Sequence, residues 1–304
     1  MKITHEAYGK WQNCIKLANA EIAVIVTLDA GPRIIRFGFI NGKNEFAEFP
    51  DEIPDLGNRE FRSYGGHRLW AAPEVQGWTN HPDNDPVEWK EKEGDIFLTA
   101  PVERGTKLQK QFSLRLDPEK NHLRVIHTIT NCSKAPLQIA PWGITVMASG
   151  GRLIIPQEPF IPHEERLLPV RPIVLWGYTD MRDPRYTWGS RFIQVRQDPK
   201  SRTDQKFGAL VSKGWAAYTN GDRVFLKRFG YSAKASYADL GCNAEFFTNQ
   251  QMLEVESLGP LAPLKPGKSV THREDWYLFR GIDIGDTDEK IEKSLAPLLK
   301  TAAL

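Results

Sequence analysis

Apolar residues in this chain come in short runs, and turn residues close many of them. Residues 21–27 form a β-branched stretch, and residues 33–39 follow it, ended by the turn pair Asn41-Gly42. Further runs of strand type cover 96–100, 108–116, 122–131, 137–147, 153–155, 192–197, 208–211, 215–219, 224–229, 244–248, 251–257 and 269–279. Asp117-Pro118, Ser149-Gly150-Gly151, Asn220-Gly221 and Pro266-Gly267 punctuate them. Many short strands at this spacing predict an all-β sandwich or barrel, not alternating strand–helix units.

Helical periodicity is scarce. It is clearest at 286–299, where Asp286 or Thr287 is placed to cap and Ile291, Leu295 and Leu298 recur at helical spacing. Residues 157–191 are rich in proline, tryptophan and tyrosine and too long for a hairpin, which predicts a long irregular loop of the kind that often carries function. No internal repeat, low-complexity tract or Gly/Ser-rich linker divides the 304 residues, so a single domain over 1–304 is expected.

Composition narrows the function. Forty basic and 38 acidic residues give a net charge of +2, with no electrostatic footprint for nucleic acid or an anionic membrane. The three cysteines, Cys14, Cys132 and Cys242, fit neither a disulfide framework nor a structural zinc site. No signal-peptide pattern opens the chain and no apolar run is long enough for a transmembrane helix, so a cytoplasmic location is expected. Nine tryptophans and 21 prolines are many for this length. A β-rich core explains most of the indoles. Roughly one third are expected at a ligand surface, where an amphipathic ring is useful.

Three clusters carry candidate chemistry. The first is Tyr64-Gly65-Gly66-His67-Arg68-Leu69-Trp70, in which two glycines permit close backbone approach beside an imidazole, a guanidinium and an indole. It reads either as one wall of a site or as a structural loop with a buried histidine. The second, Trp78 to Pro86, is turn chemistry and a candidate rim. The third lies on 251–260, where strand alternation puts Glu254 and Glu256 on one face and Leu253, Val255 and Ser257 on the other. Two carboxylates on one face repel, which suits a wet cleft and raises one pKa toward the range of a general base or acid. An exposed outer face is the alternative. Glu245, just after Asn243, is expected on the neighbouring strand.

Among the other histidines, His127 reads as a core residue, His163 as a loop residue within reach of a cleft, and His5, His122 and His272 as surface. Asp180 and Arg185 read as rim contacts or loop pairs, and one of Lys227 and Arg228 is expected to enter the cleft. Arg33, Arg36, Arg68 and Arg185 are candidate donors for an anionic ligand. No phosphate loop, nucleophile elbow or zinc-binding helix motif is present, and no cofactor or metal is expected.

The order of these blocks resembles the galactose mutarotase-like, or aldose 1-epimerase-like, superfamily, in an uncharacterised bacterial branch. The resemblance runs over most of the chain. It rests chiefly on Gly65 to Glu74 (GGHRLWAAPE) and on ESLGP with LKPG between Glu256 and Gly267, and more loosely on Asp29 to Gly38 and Thr130 to Gly143. It implies a large antiparallel supersandwich with few short helices and a carbohydrate in its cleft. It also implies exchange of sugar anomers, with a glutamate as base and a histidine as acid. Carried onto this chain, Glu256 is the expected base with Glu254 second, and His67 the acid or orienting group. Arg68, Trp70, Tyr64, Trp142, His163, Asn243, Glu245 and Arg33 are the expected sugar contacts. One departure stands out: where the family has its second histidine, this chain has Trp142-Gly143-Ile144-Thr145. Three readings follow: a sugar isomerase, a non-catalytic carbohydrate-binding protein using the same cleft, or a carbohydrate lyase or hydrolase using paired carboxylates. The expected partner is a small or oligomeric carbohydrate, with no nucleic acid and no membrane.

Overall fold

A computed structural model describes residues 1–53 and 60–303. In chain order the strands begin with β1 (Lys2–Tyr8), β2 (Trp11–Ala18), β3 (Ile22–Thr27), β4 (Arg33–Phe39) and β5 (Gly66–Ala72). Then come β6 (Glu88–Lys92), β7 (Asp95–Thr99), β8 (Leu108–Leu116), β9 (His122–Asn131), β10 (Leu137–Met147) and β11 (Arg152–Pro156). The long loop contributes β12 (Ile173–Leu175) and β13 (Tyr186–Trp188), followed by β14 (Phe192–Arg196), β15 (Gln205–Ala209), β16 (Trp215–Asn220) and β17 (Arg223–Phe229). Last are β18 (Ala244–Thr248), β19 (Leu253–Leu258), β20 (Ala262–Leu264), β21 (Ser269–Phe279) and the helix α1 (Asp288–Thr301).

Two large antiparallel sheets result. One runs β1-β2-β3-β4-β5-β10-β19-β18-β15-β12, with β20 paired to β10. The other runs β13-β14-β11-β16-β17-β21-β9-β8-β7-β6. The reason is legible in β9, whose odd residues from Leu123 to Asn131 are buried while the even ones are less so. That is the period of a sheet with one face on a core. Between the sheets Phe37, Phe46, Phe225 and Trp276 cluster, five of their pairs edge to face with ring centroids 5.5–5.9 Å apart and Phe37–Phe46 tilted at 6.1 Å. At the β9–β10 turn, Asn131 Nδ2 donates to the carbonyls of Ala135 and Leu264, tying the turn to β20.

Several elements differ from the sequence reading. β1 and β2 were not expected; β1 mixes Lys2, His5 and Glu6 with apolar residues and is a half-buried edge strand. The strand expected at 208–211 is β15, Gln205–Ala209, which brings Lys206 into the sheet. The Gly-Gly-His-Arg block is not a loop but β5, buried along its whole length. Its glycines are required by crowding. A Cβ on Gly66 would stand 2.3 Å from the Ile34 carbonyl oxygen, at a φ of +69°.

Helix α1 is capped by the Thr287 side chain, which accepts from Lys290 N. Its Ile291, Leu295 and Leu298 pack with Ile154, Phe192, Trp215 and Leu226 of the second sheet. Among the described residues no helix is long and apolar enough to cross a membrane.

Candidate functional site

Central strands of the first sheet are buried on both faces, and strand parity decides which residues reach which face. Across the sheet Trp70 stands opposite Trp142 and Arg68 opposite Ile144. Ile144 pairs with Glu256 and Val146 with Glu254. Glu256 pairs with Glu245, Glu254 with Phe247, and Phe247 with Lys206. These residues share the face turned away from the second sheet. Their alternates, including Leu69, Val255, Phe246 and Phe207, pack into the inter-sheet core.

On the outer face lie two adjoining hollows, of about 400 and 550 Å³, which share Glu74, Trp142 and Trp176 as walls. One is lined further by Phe61, Arg68, Trp70, Tyr178, Lys206, Phe247 and Glu254, the other by Gln76, Asn80, Asp239 and Glu245. Three of the nine tryptophans therefore line this cleft. Trp70 and Trp142 meet edge to face at 5.6 Å. Gly208 lies between the third and Cys242; a Cβ there would meet the Trp176 ring at an ordinary 3.4 Å but Cys242 Sγ at 2.5 Å.

Charges in the cleft are paired but not evenly. Lys206 Nζ lies 2.8 Å from Glu245 Oε2 and 3.3 Å from Glu256 Oε2, and 4.8 Å from the ring centroids of both Trp142 and Trp176. Trp142 Nε1 donates to Glu256 Oε2 at 2.7 Å. Arg68 Nη2 donates to Glu254 Oε1 at 3.1 Å, and its guanidinium stands over the Trp70 ring at 4.7 Å. Burial pushes the pKa values of Glu245 and Glu256 up, against the pull of Lys206. Burial also acts to lower Lys206, but the two carboxylates outweigh it and hold its pKa raised. One ammonium shared by two carboxylates leaves the pair under-compensated, so its first proton is held above the ordinary carboxyl range. Burial raises the Tyr178 hydroxyl to about 12. Several polar atoms have no hydrogen-bond partner among the described residues: Arg68 Nε and Nη1, Trp70 Nε1, Glu245 Oε1 and Glu256 Oε1.

Of the residues singled out in the sequence, Arg68, Trp70, Trp142, Glu245, Glu254 and Glu256 are brought onto this face. The others are not. Tyr64 packs edge to face on Trp11 at 5.3 Å, in a separate buried cluster. Arg33 is fully buried and bound to Asp83 at 3.0 Å and to the Ser63 and Gly65 carbonyls. Asn243 spends its side chain on the backbone N–H and carbonyl of Val211. His163 is exposed in the long loop and does not line the cleft. Arg36 holds the Phe39 and Gly42 carbonyls, and Arg185 pairs with Asp183 at 2.9 Å. The four arginines thus do not converge, and only Arg68 reaches the cleft.

His67 needs the largest correction, because it occupies the inter-sheet core with no exposure, on the face opposite Arg68. There it joins a buried chain whose tautomers follow from simple donor rules. His127 Nδ1 lies 3.0 Å from the His272 carbonyl, which only accepts, so Nδ1 carries the proton. His127 Nε2 then accepts from His67 Nε2 at 2.7 Å, and His67 Nδ1 accepts from the Thr145 hydroxyl at 2.8 Å. Ser257 Oγ donates to Glu274 Oε1 at 2.6 Å, so it accepts from His272 Nε2 at 2.6 Å. Trp276 Nε1 and Lys227 Nζ complete the bonds to Glu274, at 2.6 and 3.0 Å. Burial lowers all three imidazoles, His67 far below its ordinary value and His272 to about 3. His127 is the core residue the alternation predicts. His272 is not at the surface, and Lys227 enters the core, not the cleft. Ligand atoms of His67, His127 and Glu274 lie within 4.8 Å of one another, but Lys227 already supplies the cation at that carboxylate.

Sequence reasoning missed Lys206, Trp176, Tyr178, Phe247, Glu74 and Asp239. The signal for Trp176 and Tyr178 was the aromatic density of 157–191. For Lys206 it was a strand placed three residues too late.

No protein-family model matches the chain, and no curated protein matches it. Solved structures do. A candidate aldose 1-epimerase from Klebsiella pneumoniae is similar with a TM-score of 0.60 at 12% identity, over 96% of this chain and 84% of that one. A galactose mutarotase-like protein from Lactobacillus casei gives 0.56 at 10%, over 88% and 100%. Another from Clostridium acetobutylicum gives 0.52 at 12%, over 92% and 99%. Likenesses of this kind identify an architecture: the chain has the galactose mutarotase-like supersandwich fold.

Proposed function

We propose that the protein binds a carbohydrate in the cleft on the outer face of β5, β10, β19, β18 and β15. The observation that carries the reading is the combination on one face of indole rings, unpartnered N–H donors on Arg68 and Trp70, and unpartnered carboxylate oxygens on Glu245 and Glu256. Pyranose C–H faces pack on flat aromatic rings, while the ring of hydroxyls around them needs donors and acceptors together. The galactose mutarotase-like and aldose 1-epimerase descriptions of the structural neighbours support the same ligand class. Thermal-shift screening against a panel of hexoses, pentoses, uronic acids and amino sugars tests it. A sugar that binds only the native state raises the melting temperature, by mass action worth about 2.7 kcal/mol at a hundredfold excess over Kd. No shift with any sugar at high concentration rejects the reading.

A second reading, an anomer-exchanging isomerase, is favoured by Glu256. Its pKa is raised by burial and its Oε1 is free of protein partners, both suited to taking a proton from an anomeric hydroxyl. With His67 on the opposite face, the acid for the ring oxygen falls to a proton-bearing group of the cleft itself, the Tyr178 hydroxyl or the Lys206 ammonium. Protonation there breaks the bond from C1 to the ring oxygen, and rotation about C1–C2 precedes reclosure. Polarimetry on freshly dissolved anomers decides between the two readings. Acceleration by the wild type that is lost in Glu256→Gln supports catalysis, and no acceleration of a sugar that binds leaves a binding protein.

A further inference from the structure

Resting on that carbohydrate reading, we propose that the sugar carries a free, protonated amino group, received at the Glu245 end of the cleft. The cleft is polar along its length. At the β5 end the atoms without a partner among the described residues are Arg68 Nε and Nη1, Trp70 Nε1 and the Ser63 hydroxyl, all of which can donate. At the β18 end they are acceptors, Glu245 Oε1 and Glu256 Oε1, on two side chains with no exposure. A sugar lying across both ends must present oxygens to β5 and hydrogens to β18.

Hydroxyls and an ammonium both supply hydrogens, and charge separates them. The hollow at the β18 end is lined by three carboxylates, Glu74, Asp239 and Glu245, and by the Trp142 and Trp176 rings, with no cation among its lining residues. The nearest cation, Lys206, is already shared between Glu245 and Glu256. Arg68, at the far end, is held by Glu254. An incoming ammonium therefore meets an excess of carboxyl groups over cations, beside indole rings, the environment that attracts a cation. A phosphate or a second carboxylate meets repulsion there. Glu245 makes this more than a patch of surface acids: Lys206 holds its Oε2, but its buried Oε1 has no donor, and a desolvated oxygen left so is costly until one arrives.

Isothermal titration at roughly pH 6.5, where a sugar amine is protonated, tests the proposal. In each of the gluco, galacto and manno series the protein is titrated with the hexosamine, the parent hexose, the N-acetyl hexosamine and the hexose 6-phosphate. The expected result is a hexosamine binding at least tenfold more tightly than its parent and its N-acetyl derivative in one series, and a 6-phosphate binding worst. That advantage shrinks in Glu245→Gln and in Asp239→Asn, the second substitution being at a partly exposed site that does not burden folding. Equal or weaker binding of the amine, or preference for the 6-phosphate, overturns the inference while leaving the carbohydrate reading intact. Absence of binding by every sugar overturns both.

Discussion

Glu245 and Glu256 face each other directly across β18 and β19, and the single ammonium of Lys206 closes on both, at 2.8 and 3.3 Å. Two carboxylates with no exposure, held on adjacent strands, are tolerable only because that lysine reaches them from β15. Replacing Lys206 with Met strands both charges. Urea denaturation at pH 7 should show a loss of about 3–5 kcal/mol, as for a buried pair deprived of one partner. Adding Glu245→Gln to the lysine variant should recover part of that loss. Additive losses in the double variant would contradict the shared-ammonium arrangement.

Arg68 and Trp70 are placed to hold the ligand from β5. Arg68→Ala removes the unpartnered donors, and sugar affinity should fall at least tenfold, about 1.4 kcal/mol, with the fold preserved by circular dichroism. Trp70→Ala should weaken binding as well, at an added stability cost of about 3–5 kcal/mol for deleting a buried indole. Unchanged titration curves for both variants would place the ligand elsewhere.

Glu256→Gln separates binding from chemistry. The amide keeps the shape and an acceptor for Trp142 Nε1 but cannot take a proton. If the protein exchanges anomers, the rate should drop by roughly two to four orders of magnitude, the usual worth of a general base. Affinity should change far less. A rate that survives the substitution moves the base to Glu254.

The histidine chain predicts acid sensitivity. His67, His127 and His272 all have lowered pKa values in the fold, so below about pH 6.5 the unfolded chain binds protons that the native state refuses. Each contributes stability that is complete above that pH and is lost on acidification. Glu245 and Glu256, with raised values, act in the opposite direction and offset part of the loss. Chemical denaturation should therefore report less stability at pH 5.5 than at pH 7, with His272, held to about 3, alone worth about 1 kcal/mol of the difference. His272→Gln should flatten the profile. A profile unchanged by that substitution would mean that this imidazole is already charged in the core.

Gly143 is a close-packed point behind the site, against the histidine chain. A Cβ there would stand 2.6 Å from Glu274 Oε1 and 3.3 Å from the His127 ring. Gly143→Ala should thus cost about 1–3 kcal/mol through overpacking. It should also weaken ligand binding if the chain holds β10 in place. Wild-type stability in this variant would show that the carboxylate moves aside freely.

Much of this was readable from residue order. Period-two alternation placed Glu254 and Glu256 on one face and His127 in the core, because a strand leaves no other choice. The strand limits of β8, β9, β10 and β21 coincide with the apolar runs. What misled was chemistry overriding pattern. Two glycines before His67 read as a turn, yet they are there so that β5 can pass close to the Ile34 and Ala47 carbonyls. Once β5 is a strand, parity sends His67 inward whenever Arg68 and Trp70 point outward. Lys206 escaped notice because Gln205 and Lys206 look like the polar end of a loop. The burial of Lys206 depends on Glu245 and Glu256, which lie some forty and fifty positions later and become neighbours only after the sheet forms.

The alternation along β5 has a consequence for how such a protein can diverge. Cleft and core are written on one seven-residue segment in strict turn, so substitution can retune either row separately. Loss or gain of one residue between Gly66 and Ala72 would exchange the rows outright, sending His67 and Leu69 to the ligand and Arg68 and Trp70 into the interior. The segment from 157 to 191 carries no such frame, although it supplies Trp176 and Tyr178 to the same cleft. New ligand preferences are therefore expected to arise through insertions and exchanges in that loop, while β5 keeps its length.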